Sequence, residues 1–137
     1  MIVTIDIETT FVVKDNGTTD PSPHLSGNYL VGVGFLSVPH IDMEEFFTQP
    51  EGKSEPQFMP LYHEDLEENH MDRRDRFKQI QCVLHNADVL IGHNIKFDLS
   101  YLLNCGFDYR GNVYDTMVTE YVLSRGMKRG LSLEDSC

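Results

Sequence analysis

The chain has 137 residues, 40% of them hydrophobic, which is enough for one domain spanning residues 1–137 and too few for two ordinary ones. Its three cysteines fit no Cys-x-x-Cys spacing, and no apolar run approaches the roughly 18 residues of a membrane span. A reduced, cytoplasmic protein with no membrane partner is therefore expected. The net charge of −11 argues against nonspecific binding of phosphate-rich partners, but carboxylates that hold divalent cations would reverse the local field.

The first half of the chain predicts strands separated by polar segments. Residues 2–7 form a short β-branched run that indicates a buried strand, and residues 14–28 are rich in Asp, Gly, Pro and Ser, which indicates a loop. Residues 29–38 and 43–47 are further candidate strands, so the sheet is expected to begin antiparallel. Residues 51–69 combine two prolines with dense acid and predict a surface excursion.

The second half alternates helices and strands. Apolar spacing predicts helices over residues 73–85, 95–105 and 115–124, with strands at residues 87–92 and 112–114 between them. Ser132 with Asp135 has the spacing of a capping box and predicts another helix start. Together these elements predict an α/β domain in which helices cover a mixed sheet.

Asp6 and Glu8 stand two residues apart at the end of the first strand. Side chains alternate along a strand, so both carboxylates point to the same face, about 7 Å apart. Like charges side by side favour a hard cation such as Mg²⁺ or Mn²⁺ between them. A strand that simply runs out into solvent would show the same two residues.

Asp98 is the third candidate carboxylate. A strand leads through Gly92 into a helix for which Asn94 can serve as N-cap. Residues 95, 98, 99 and 102 follow helical spacing, so Asp98 interrupts an apolar stripe that should face the sheet. An ordinary first-turn acid that complements the helix dipole is the alternative interpretation. Jointly with Asp6 and Glu8, however, it could converge on a pair of metal ions.

Three segments together resemble a known family. Ile5-Asp-Ile-Glu-Thr9, then Ile91-Gly-His-Asn-Ile-Lys-Phe-Asp98, then Tyr114-Asp-Thr-Met117 with Leu131-Ser-Leu133, resemble in order and spacing the first two motifs and the landmarks of the DEDD 3'→5' exonuclease superfamily. The likeness is greatest to the proofreading domain of family A (polymerase I-type) DNA polymerases, especially phage versions. It implies a ribonuclease H-like fold, a single-stranded DNA 3' end as substrate, and host cytoplasm as the location if the source is viral.

The resemblance also implies roles for individual residues. Two divalent ions, Mg²⁺ or Mn²⁺, would be held by Asp6 (both ions), Glu8 (the ion that carries the attacking water) and Asp98 (the second ion, mostly through water). The substrate end would meet a second group of residues, namely Thr9, Thr10, Asn94 and Phe97. Asp115 matches a landmark that is not a ligand, and capping a helix is its expected role.

Other residues receive structural interpretations. His93 is expected to be a packed or hydrogen-bonded turn residue rather than a metal ligand, and Cys82 and Cys105 are expected in the core. Phe97 is either a stacking surface for a base or a core residue, and Thr9 and Thr10 could equally be ordinary loop residues.

The third motif of the superfamily, a Tyr or His followed by the fourth Asp, would lie after the helix that begins near Ser132. The expectation is therefore a C-terminally incomplete domain, inactive alone, that acts with the remainder of a polymerase in cis or in trans. Two alternatives stay open: a noncatalytic domain of the same fold that binds nucleic acid or protein, and an RNA exonuclease of the ribonuclease D kind.

Overall fold

The computed structural model describes residues 1–39, 55–62, 72–125, 127 and 130–136. Its elements in chain order are β1 (Ile2–Thr9), β2 (Val12–Val13), β3 (Thr19–Asp20), β4 (Leu30–Val38), β5 (Gln57–Pro60), α1 (Arg73–Asn86), β6 (Val89–Gly92), α2 (Ile95–Asn104), β7 (Asn112–Asp115), α3 (Thr116–Leu123) and α4 (Leu133–Ser136). Among the helices of these described residues, none is long and apolar enough to cross a membrane.

Five strands form one mixed sheet in the order β5-β4-β1-β6-β7. β4 and β5 continue antiparallel from β1, whereas β6 and β7 run parallel to it. The antiparallel start, the alternating second half and the mixed sheet predicted from the sequence are therefore confirmed. The fold is the ribonuclease H-like arrangement that the sequence resemblance implies.

The core lies between the sheet and the helices α1 and α2. Alternate residues of β1 point into it, so that Val3, Ile5 and Ile7 are buried while Asp6 and Glu8 are exposed on the opposite face. α1 contributes Ile80 and Leu84 to the core, and α2 contributes several buried side chains, Ile95, Asp98, Tyr101 and Leu102. The predicted apolar stripe of α2, with Asp98 inside it, is confirmed.

Two predicted loops contain strands. Within residues 14–28, Thr19–Asp20 pairs with Val12–Val13 as a small hairpin, because Gly17 (φ +80°) allows a tight turn and the Asn16 side chain accepts bonds from both Thr18 donors. Within residues 51–69, Gln57–Pro60 is an edge strand on β4. Pro60 is the last residue of that strand. At this position its missing N–H group does not remove a backbone hydrogen bond from the sheet. The candidate strand at residues 43–47 lies outside the described residues.

The prediction that Cys82 and Cys105 belong to the core is wrong, because both thiols are exposed. Cys82 occupies the outer side of α1, and Cys105 follows the last residue of α2. The burial of Arg76 in α1 was not predicted from the sequence. Only 3% of its surface is exposed, and its Nη1 donates a hydrogen bond to the Pro60 carbonyl at 3.3 Å. That contact joins α1 to the edge strand β5.

Candidate exonuclease site

Asp98 lies where β1 and β6 separate. The two strands are paired with each other only as far as Thr4 and Ile91. Beyond this point β1 stays paired with β4 but no longer with β6, and the chain turns from β6 into α2. Only 4% of Asp98 is exposed, and its carboxylate lies near the backbone N–H of Ile7, which acts to lower its pKa. The position explains how a carboxylate in an apolar stripe obtains a polar partner.

The electrostatics of Asp98 show that Asp6 is its neighbour. Burial raises the pKa of the Asp98 carboxyl from 3.8 to about 7, and the negative charges of Asp6 and, more weakly, Asp115 act in the same direction. Backbone N–H groups of Asp98 and Ile7 partly oppose the rise. A positive ion at this point would relieve both the repulsion and the desolvation of the carboxylate.

Glu8 shares the exposed face of β1 with Asp6. The residues opposite this pair on β4 are Gly32 and Gly34, so the neighbouring strand presents no side chain beside either carboxylate. In the part of the chain that the structure describes, no three His, Cys, Asp or Glu side chains lie close enough to hold one ion together. Asp6 acts on Asp98 through its charge, and Glu8 lies on the same face of β1 as Asp6 with an exposed side chain.

Asp6, Glu8 and Asp98 have the donor chemistry of a site for a hard divalent cation, although the described residues do not group three such side chains around one point. Their donors are carboxylate oxygens only, which is the ligand type that Mg²⁺ and Mn²⁺ prefer. A buried carboxylate with a raised pKa next to a second acid is the environment in which a cation is most stabilising.

Asn94 begins α2 in the left-handed conformation (φ 57°, ψ 42°), and its side chain makes no capping hydrogen bond. Asn94 is therefore the N-cap residue, as predicted, but its side chain does not supply the capping bond. Its backbone N–H instead donates to Asp115 Oδ1 at 3.0 Å. The amide side chain remains exposed beside Phe97 in an open cavity.

Asp115 is the N-cap of α3, as predicted. Its Oδ1 also accepts from the N–H groups of Met117 (2.9 Å) and Val118 (3.3 Å), so one oxygen joins the start of α3 to the start of α2. The sequence suggested the cap but not the bond to Asn94, which spans 21 residues.

His93 is hydrogen-bonded on both ring nitrogens, which confirms the structural interpretation. Nε2 lies 2.7 Å from the Leu131 carbonyl oxygen, and Nδ1 lies 3.0 Å from the Thr116 hydroxyl. Because a carbonyl only accepts, Nε2 carries a proton that it donates to Leu131 O, and the Thr116 hydroxyl beside Nδ1 donates to Gly92 O at 3.2 Å. Ser132 comes directly after Leu131 in the chain and precedes α4. The capping box predicted for Ser132 is present, because the Asp135 N–H donates to Ser132 Oγ at 3.2 Å.

The remaining candidate residues surround the end of β1. The Thr10 hydroxyl is engaged within the protein, because it donates to Gly27 O at 3.1 Å and accepts from the Tyr29 N–H at 2.8 Å. The Thr9 side chain interacts with the Tyr101 hydroxyl. Phe97 packs partly against the core, with its ring centroid 5.2 Å from that of Tyr101, and also faces the cavity it shares with Asn94. Both interpretations of Phe97 are therefore compatible with its position.

A comparison with protein families matches the 3'-5' exonuclease domain of the DNA polymerase A family to residues 58–135, which is more than half of the chain. The matched range contains four of the candidate residues, Asn94, Phe97, Asp98 and Asp115. Asp6 and Glu8 precede the matched range. The strand that carries them, β1, is joined to it by its pairing with β6 and by the contact of Ile7 with Asp98. The chain belongs to the 3'-5' exonuclease domain family of family A DNA polymerases, and its class is that of a nuclease acting on nucleic acid.

Proposed function

We propose that this domain removes nucleotides from the 3' end of single-stranded DNA by metal-assisted hydrolysis, as a proofreading activity for a polymerase supplied in cis or in trans. The observation that carries the proposal is the buried Asp98 carboxylate, held at the end of β1 beside Asp6 with its pKa raised to about 7. Both residues belong to a chain that matches the exonuclease family over residues 58–135. The cytoplasm, where such a polymerase meets DNA, is the proposed location.

Asp6, Glu8 and Asp98 would hold two divalent ions, Mg²⁺ or Mn²⁺. When bound, such ions supply an activated water and stabilise the charge that develops on the phosphate. Asp6 would contribute to both ions, since it shares the exposed face of β1 with Glu8 and its charge acts on the Asp98 carboxyl. Glu8, which is exposed, can rotate towards an incoming ion, whereas the buried Asp98 is already fixed.

The substrate end would be bound by Asn94 and Phe97 on one side and by the segment Thr9 to Thr10 on the other. Asn94 offers an exposed amide, and Phe97 offers part of an aromatic face on which a base can stack. Since the Thr10 hydroxyl is already bonded to Gly27 and Tyr29, its role would be to fix the backbone of this segment.

We further propose that the 137-residue chain is slow by itself. Residues 1–137 supply three of the four acids of a DEDD site and lack the Tyr or His that orients the water. Loss of one oriented group typically costs about 10² to 10⁴ in rate, and losses within one catalytic unit do not add.

The test is release of 3'-terminal nucleotides from a 5'-labelled DNA oligonucleotide at high enzyme concentration with Mg²⁺ or Mn²⁺. We expect slow shortening in single-nucleotide steps from the 3' end that disappears in Asp6→Asn and Asp98→Asn. An Asp108→Asn variant, altered at an exposed acid on the α2–β7 connection, is the matched control and should keep the parent rate.

Two other results would redirect the proposal. Binding of the oligonucleotide with no shortening at any metal concentration would favour a noncatalytic domain. Faster shortening of an RNA oligonucleotide of the same sequence would favour an RNA exonuclease, because the 2'-hydroxyl is the group that distinguishes the two substrates.

A further inference from the structure

Two tyrosines lie at the same end of the sheet as the candidate site but on the opposite side of β1 from β6. β1 ends there, β4 begins there because it runs antiparallel to β1, and β5 ends there because it runs antiparallel to β4. Tyr29 stands directly before β4, and Tyr62 stands shortly after β5. Neither residue has a role in the site described above.

Tyr29, Tyr62 and Arg73 form a stacked group, which we call the tyrosine–arginine row. The ring centroids of the two tyrosines are 5.5 Å apart, and their planes are tilted by 57°. Arg73 is the first residue of α1, and its Cζ lies 3.5 Å from the centroid of the Tyr62 ring, which is the geometry of a cation–π contact. Contacts within the protein therefore assemble the row without a ligand.

The row is tied directly to the end of β1. The Thr10 N–H donates to the Tyr29 carbonyl at 3.0 Å, and the Tyr29 N–H donates to the Thr10 hydroxyl at 2.8 Å. The first ring of the row therefore adjoins the segment Thr9 to Thr10, which is proposed to meet the substrate end. From Tyr29 the row leads through Tyr62 to the start of α1, away from Asp98.

All three side chains of the row are accessible to a ligand. Tyr29 is 45% exposed and Tyr62 is 40% exposed, and Arg73 is exposed as well. Within the part of the chain that the structure describes, no carboxylate forms an ion pair with Arg73. The row thus presents aromatic faces and a full positive charge to solvent on a chain whose net charge is −11.

Single-stranded nucleic acid has the chemistry that matches this row. Unpaired bases stack on exposed aromatic rings without regard to sequence. A guanidinium that lies flat on a ring still directs its N–H groups outward, where they can bind a phosphate. A duplex does not fit, because its bases are already stacked on one another and paired.

We propose that the tyrosine–arginine row binds the single strand a few nucleotides upstream of the scissile phosphodiester, with bases on the two rings and a phosphate at Arg73. This inference rests on the proposed function, which places the 3' end at Asp6 and Asp98. Its consequence is a dependence of affinity on strand length, since an oligonucleotide too short to reach the row lacks these contacts.

The test is equilibrium binding of two 5'-labelled thymidylates, a dinucleotide and an octanucleotide, in Mg²⁺ and before shortening is detectable. We expect the octanucleotide to bind more tightly. Tyr62→Leu and Arg73→Gln should each weaken binding of the octanucleotide about five-fold or more and leave binding of the dinucleotide unchanged. The matched controls, Tyr121→Leu on α3 and Arg110→Gln on the α2–β7 connection, are exposed elsewhere and should change neither affinity.

Three results would overturn the inference: equal affinity of the parent for the two lengths, equal weakening of both lengths in the row variants, or octanucleotide affinities that match those of the controls. Melting followed by circular dichroism checks the fold of each variant. Arg73→Gln leaves both rings in place, so the test does not depend on Tyr62→Leu alone.

A second titration separates this inference from the proposed function. Mn²⁺ broadens the NMR signals of amides near its binding site, so loss of signal around Asp6 and Asp98 reports the proposed metal site without any nucleic acid. Broadening there, combined with octanucleotide binding that ignores the row variants, would refute only the row. Weakening confined to the octanucleotide, without Mn²⁺ broadening, would support the row and count against the hydrolytic function.

Discussion

Asp98 is the residue on which the proposed chemistry depends most. Helical spacing predicted that it would face the sheet, and it is buried. Its partner could not be predicted, because the Ile7 backbone becomes available only where β1 outruns its pairing with β6. A buried carboxylate in such a place destabilises the folded chain unless it is protonated or bound to a cation.

The first prediction is a pH-dependent stability that originates at Asp98. Its folded-state pKa, about 7, is above the ordinary value of 3.8 for an aspartate, so the folded chain binds the proton more tightly. The contribution of the protonated Asp98 carboxyl to the free energy of unfolding is complete below pH ~4 and is lost as the pH rises through about 7. In EDTA, the Tm of Asp98→Asn minus that of the parent should therefore increase between pH 5 and pH 7.5.

An Asp108→Asn variant serves as the control, because Asp108 is an exposed acid for which no such dependence is expected. A constant Tm difference between Asp98→Asn and the parent across this pH interval would contradict the assignment.

The second prediction concerns Asp115, whose Oδ1 accepts three backbone N–H groups. Asp115→Ala removes the cap of α3 and leaves the Asn94 N–H without its acceptor. We expect a loss of roughly 1–3 kcal/mol in the free energy of unfolding, measured by urea denaturation. The matched variant is Asp108→Ala, which removes only an exposed pair with Arg110 and should cost far less. Equal losses in the two variants would show that Asp115 does not couple α2 to α3.

At the scale of elements, the sequence predicted most of the helices and strands within one or two residues. The exceptions have a common cause. The β2–β3 hairpin has only two residues in each strand, and β5 is an edge strand inside a segment rich in proline and acid, so the local sequence of neither indicates a strand. Their existence depends on pairing partners elsewhere in the chain. For the same reason the hydrogen bonds that Tyr101 and Asn104 of α2 donate to the carbonyls of Pro21 and Pro23 could not be predicted.

Three separate elements meet at His93. The residue follows β6, and its ring contacts Thr116 at the start of α3 and Leu131 before α4. The pattern Gly-His-Asn in the sequence indicated a turn. It did not identify the two hydrogen-bond partners of His93, Thr116 and Leu131, which lie 23 and 38 residues further along the chain. This histidine therefore holds the segment before α4 against the turn that begins α2.

The third prediction is that His93→Ala releases this segment. The Leu131 carbonyl loses its donor, so we expect faster hydrogen exchange in residues 131–136 and 116–119 and little change in α1. Destabilisation should be about 1–2 kcal/mol. The control is His85→Ala, since His85 is exposed in the last turn of α1. Unchanged exchange in residues 131–136 would show that His93 does not anchor them.

At the scale of the whole molecule, apolar side chains are exposed near β7 and α3, including Val113, Tyr114, Tyr121, Val122 and Leu123. None of the residues of α3 is buried within the part of the chain that the structure describes. Exposed patches of this kind mark interaction surfaces or aggregation-prone regions. Binding and rate measurements on this chain therefore need protein whose monomeric state is verified at the concentration used.

The net charge of −11 also bears on function at this scale. A nuclease with this charge cannot rely on a general basic surface to attract DNA. Bound cations at the acids and a local basic group such as Lys96 would have to supply the attraction. Divalent metal binding is consequently the property on which the account depends.

The most direct test is calorimetric titration of the metal-free chain with Mn²⁺ at pH 8, where Asp98 is mostly ionised. We expect weak binding that is lost in the double variant Asp6→Asn, Asp98→Asn and kept in Asp75→Asn, Asp108→Asn, which removes two exposed acids outside the site. Equal heats for the parent and the Asp6, Asp98 double variant would contradict the central claim that these carboxylates form a metal site.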